Sequence, residues 1–174
     1  MKAAGVLIIL LTGLSLASAS LAAELKTRLT RLEYQQPEDL SLLDQRLQLG
    51  LRPAVPGARR ALTVEAAVSN KVDLIFGQVR EILEMYPEKR DCRIVMLPTE
   101  VEVQQAYEQI YARKTTYIAF FSPQTETVYF ALNRLTTQVF AHELAHVVMN
   151  AYFLNAPPEK IHEVLAQYVE KQFR

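Results

Sequence analysis

Apolar positions recur every three or four residues over several stretches of this chain, and elsewhere they gather into short aromatic and β-branched runs. From Glu24 to Leu51, Leu25, Leu29 and Leu32 follow helical spacing until Pro37 interrupts, which predicts short helices. Beyond Leu62, the residues Val64, Val68, Val72, Ile75, Val79, Ile82 and Leu83 mark one face of an amphipathic helix that ends near Pro87. Arg93 to Leu97 is a short strand-like run stopped by Pro98, and Thr99 to Ala112 returns to helical spacing. Thr116 to Phe121 and Thr127 to Leu132 are aromatic and β-branched runs joined by SPQTE, the pattern of a β-hairpin. Leu135 to Ala151 and Pro158 to Phe173 read as two helices, Pro158 being suited to open the second.

Both ends of the N-terminal third carry organisational signals. Residues 1–23, MKAAGVLIILLTGLSLASASLAA, combine one lysine, an apolar run and then small residues, which predicts a signal peptide. Cleavage fits after Ala19, Ala22 or Ala23, and the alternative is an uncleaved membrane anchor. The expectation is an exported protein, periplasmic or secreted. Arg52 to Arg60, with two prolines, a glycine and three arginines, reads as a linker. The division expected is therefore 1–23 signal peptide, 24–61 helical extension and linker, and 62–174 main domain, with the extension open to being pro-segment, spacer or part of the core.

Composition narrows the chemistry. Nineteen basic residues balance nineteen acidic ones, and 50% of the chain is hydrophobic, so neither disorder nor a basic nucleic-acid surface is supported. The single cysteine can form neither an intramolecular disulfide nor a thiolate metal cluster. Chemistry must come from histidines, carboxylates and hydroxyls.

Such residues converge in His142-Glu143-Leu144-Ala145-His146. The i, i+4 spacing sets both imidazoles on one side of a helix, where they can share a zinc ion, and Glu143 stands beside that face as a general base. The flanking Val139, Phe140, Ala141, Leu144, Ala145, Val147 and Val148 make the helix apolar nearly all round, hence buried. A third ligand must come from Glu159, His162, Glu163 or Glu170. Glu163 is selected, because with Gln167 and Glu170 it forms a polar stripe opposite Ile161, Val164, Leu165, Tyr168 and Val169.

VFAHELAHVV followed by a proline and then HEVLAQYVE resembles the gluzincin branch of zinc metallopeptidases, in particular the peptidase MA-like families, over about Thr116 to Glu170. Relatives commonly carry Gly after the downstream glutamate and Trp ahead of it, where this chain has Val164 and Ile161. The resemblance implies an α+β, zincin-like fold, in which a small sheet with a β-hairpin edge strand packs on the H-E-x-x-H helix and a C-terminal glutamate helix follows. It implies one zinc on His142, His146 and Glu163, with Glu143 as catalytic base. By the same resemblance Gln167 orients the first histidine, and the edge strand Thr127, Val128, Tyr129, Phe130, Ala131 and Leu132 pairs with an extended peptide or protein substrate. Tyr152, His162 and Tyr168 are the candidates for stabilising the oxyanion. The activity expected is peptide-bond hydrolysis, with a zinc-containing but catalytically silent binding module as the alternative, no nucleic-acid partner, and membrane contact only through an uncleaved N-terminus.

Overall fold

A computed structural model describes residues 23–49, 63–88 and 92–173. The expected leader falls outside them except for Ala23, and the expected linker falls outside them entirely. Five strands form one mixed sheet: β1 (Ala23–Lys26), β2 (Thr30–Tyr34), β3 (Cys92–Leu97), β4 (Ala119–Ser122) and β5 (Thr127–Ala131), in the spatial order β1-β2-β3-β5-β4. β1–β2 and β4–β5 are antiparallel, whereas β2–β3 and β3–β5 are parallel. Five helices accompany it: α1 (Pro37–Arg46), α2 (Val64–Leu83), α3 (Glu100–Tyr111), α4 (Thr137–Tyr152) and α5 (Glu159–Gln172). The class is α+β, as expected.

The leucine spacing near the N-terminus does not make a helix. Leu25 lies directly opposite Leu32 across the β1–β2 pair, so their separation in sequence reflects a hairpin that brings both to one face. The hairpin is closed by Thr27, whose hydroxyl accepts from the backbone of Leu29 (3.1 Å) and Thr30 (2.9 Å). Pro37 then opens α1 rather than breaking a helix, and Asp39 Oδ2 accepts from the backbone N–H groups of Gln35 and Gln36, each at 3.0 Å. Since β2 lies between β1 and β3, residues 23–34 belong to the same sheet as the rest of the described chain.

One sheet face carries the main core, where Leu32, Ile94, Val128 and Phe130 meet Leu40 and Leu43 of α1, Val72, Ile75 and Val79 of α2, and Phe140, Leu144 and Val148 of α4. The opposite face is covered by α3, where Val103 packs with Phe120 and Ala131. α3 starts at a capping box in which Thr99 and Glu102 satisfy one another's backbone donors.

β5 corrects the expected edge strand. Thr127 to Ala131 is flanked on both sides, by β3 and β4, and Leu132 has passed into a 3-10 turn, Leu132–Arg134. Thr127, Val128, Phe130 and Ala131 are all buried, as a strand covered on both faces requires, and the free edge belongs to β4.

Asp73 of α2 fastens the N-terminal hairpin to the helical layer by accepting from the Thr27 hydroxyl (2.8 Å) and from the backbone N–H of Arg28 and Leu29 (both 3.1 Å). Asp73→Ala strands these donors and is expected to lower stability by about 2 kcal/mol in urea unfolding, with Asp73→Asn losing less. An unchanged midpoint would show that the hairpin does not depend on this anchor.

Candidate metal centre

α4 begins where Thr136 caps it, accepting from Val139 N (3.3 Å), and where the Thr137 hydroxyl accepts from Gln48 N (2.9 Å) and donates to Gln48 O (3.1 Å). These contacts tie its first turn to the chain beyond α1. Phe140, Ala141, Leu144, Ala145 and Val148 turn to the core, which leaves His142 and His146 a turn apart on the side facing α5.

α5 is rolled so that its carboxylates, not its full apolar set, face α4. Ala166 and Val169 are buried, whereas Ile161, Val164 and Tyr168 are exposed, and Glu163 and Glu170 reach the histidines. His142 Nε2 lies 3.3 Å from His146 Nε2 and 3.6 Å from Glu163 Oε2, and His146 Nε2 lies 3.4 Å from Glu163 Oε1. Two ligands of a tetrahedral zinc, each at about 2.05 Å, are separated by about 3.3 Å. The donor set and its spacing thus fit a divalent cation, and His142, His146 and Glu163 form a possible metal site.

Glu170 Oε2 sits 3.2 Å from His142 Nδ1. A carboxylate there holds the proton on Nδ1 and leaves Nε2 as the lone-pair nitrogen aimed at Glu163 and His146. This corrects the place given to Gln167, which is exposed: it lies one turn after Glu163, and the roll of α5 presents the residue two turns on. His146 is held well below the usual histidine range, at about 4, by burial first and then by the neighbouring His142 and His162, so its ring is neutral near pH 7.

Glu143 is buried at 8% exposure, and burial pushes its carboxyl up to about 8, aided by Glu163 and opposed by a hydrogen bond from the Phe121 backbone on β4. It lines a cleft of about 290 Å³ together with His142, Glu170, Val139 and the segment from Thr116 to Ala119. β4 therefore borders the cleft, the position expected of the strand after it.

Of the three oxyanion candidates, Tyr152 and Tyr168 are about half exposed and do not line this cleft. His162 stacks on His146, rings 5.9 Å apart and nearly parallel, and its buried Nε2 has no hydrogen-bond partner among the described residues. Tyr117, which no motif marked, does line the cleft. It is as exposed as the other two tyrosines, and its phenol is held above the usual range by partial desolvation first, then by the charges of Tyr107, Glu159, Glu163 and Glu143, which places it within electrostatic reach of the two site carboxylates. Only its position just ahead of a strand beside the H-E-x-x-H helix could have signalled it.

The buried Glu143 gives the metal-free protein a pH signature. Its folded pKa lies above the unfolded value, so its contribution is complete below about pH 4.5 and is lost as pH rises through about 8. His146 works in the opposite sense, but its window closes near pH 6.5. Between pH 6.5 and 8.5 the chelated protein should lose about 2 kcal/mol, read as a fall of about 5 °C in Tm, and Glu143→Gln should abolish the fall. Equal slopes in both proteins would show that Glu143 ionises normally.

Compared with family models, curated proteins and solved structures, the chain matches none, so the site rests on its own geometry.

Proposed function

We propose that the chain is an exported, zinc-dependent hydrolase of peptide bonds with a zincin-like architecture. It would hold one zinc on His142, His146 and Glu163 and use Glu143 as general base. The observation that carries this reading is the convergence of two imidazole nitrogens, 3.3 Å apart, with the two oxygens of the Glu163 carboxylate, at 3.4 and 3.6 Å, beside the buried Glu143. Zinc bound there would supply an acidified water and a polarising contact for a carbonyl oxygen.

The chain's own residues would do the rest. Glu143 takes the proton from the attacking water and returns it to the leaving amine, and its burial makes the carboxylate a stronger base than an exposed one. Glu170 keeps the His142 ring in one orientation and one tautomer. Ile118 O accepts from Ala131 N, so in the antiparallel alternation Ala119 turns its backbone groups away from β5, toward the open edge. An extended substrate would pair there, its side chain in a cleft walled by Ile118, Ala119 and Val139. Tyr117 would donate to the oxyanion from the same wall.

Elemental analysis of the purified chain should find one zinc, with affinity falling at least ~10-fold in Glu163→Ala. Glu143→Gln should keep the zinc and lose at least ~100-fold in turnover of a peptide library. No zinc after supplementation would overturn the reading outright. Zinc with no turnover in the wild type would overturn the hydrolase and leave a metal-containing binding module.

A further inference from the structure

The roll of α5 that delivers Glu163 and Glu170 to the histidines leaves its other side bare. Ile161, Val164 and Tyr168, at i, i+3 and i+7, are 47%, 54% and 52% exposed on one face. At the adjoining end, Tyr152 is 49% exposed, and Leu154, in the connection between α4 and α5, projects completely at 103%. The other exposed large apolar side chains among the described residues are Leu49, Val64, Leu74, Tyr86, Val101 and Tyr117, and only Val64 and Leu74, ten residues apart on α2, share a helix. Scattered apolar residues need no explanation, but a row along one helix that ends in a protruding leucine does.

Charge identifies the occupant. Lys160 precedes Val164 by four positions and Lys171 follows it by seven, so both exposed lysines flank the apolar row on the same side. Glu163 and Glu170 reach the histidines while staying partly exposed, and Glu159, exposed in the first turn, lies on the side of Lys160 away from the apolar row. An apolar row that includes a tyrosine, with lysines along one margin, is the arrangement of a helix lying at a bilayer interface. No described helix is long and apolar enough to cross a membrane, so the contact is peripheral.

We propose that this face of α5, with Leu154 at its tip, docks on an anionic lipid surface. The histidines stay on the inner side of the helix, so docking leaves the metal centre clear of lipid. The inference is independent of the hydrolase reading and needs no activity to test it.

The chain contains no tryptophan, so a single introduced one reports its own surroundings. In the full chain, Leu154→Trp should shift its emission to the blue by about 10 nm on adding phosphatidylcholine vesicles that contain phosphatidylglycerol. The shift should be absent with phosphatidylcholine alone and lost in the Lys160→Glu/Lys171→Glu background. Val101→Trp, on α3 across the sheet, should not shift. An unshifted Leu154→Trp would overturn the proposal, even if the protein sediments with vesicles through its N-terminal apolar segment. So would an equal shift at position 101, a shift that ignores lipid charge, or one that grows with protein concentration in vesicle-free buffer and so reports self-association.

Discussion

Two imidazole nitrogens held 3.3 Å apart are the constraint around which the remaining parts are arranged. Lone pairs at that distance repel unless a proton or a cation lies between them, and neither ring can swing away while α4 is packed on the core, β4 and α5. Burial holds His146 neutral, Glu170 turns the lone pair of His142 toward the same point, and Glu163 brings negative charge to it. The rolled α5, with its carboxylates inward and part of its apolar surface outward, is what brings Glu163 and Glu170 to the imidazoles.

The sheet serves the same end. β3 and β5 pair in parallel, which pushes β4 outward to the edge and sets Phe121 against the buried Glu143. A carboxyl at that depth has few partners. The single backbone hydrogen bond from β4 moderates its burial without cancelling it, so the group stays poised to exchange a proton near neutral pH.

What could be read from residues alone follows the range of each interaction. The spacing of His142 and His146 is a property of one helix, and Glu163 sits on the next, so the donor set was legible. The choice between Gln167 and Glu170 depends on the roll of α5 about its axis, which is set by packing against α4 and leaves no mark in local spacing. Strand order is equally non-local: Thr127 to Ala131 has the same pattern at an edge or in the interior, and only its pairing with β3 decides. Leu25, Leu29 and Leu32 misled because a three-residue connection between strands imitates helical periodicity. Tyr117 carries no motif, and only the fold brings it to the cleft.

The compactness of the donor set in sequence bears on how the protein assembles. Glu163 follows His146 by 17 positions, within one helical hairpin, whereas joining β2 to β3 requires Thr30 to find Cys92 across 62 positions. Loop-closure entropy rises only as the logarithm of length, but the contact that closes first is the short one. If the site takes an ion, its capture by the α4–α5 hairpin would not have to wait for the N-terminal strands. A bound ion would act as a nucleus on which the remaining layers condense, linking the order of folding to metal supply at the time the chain is made.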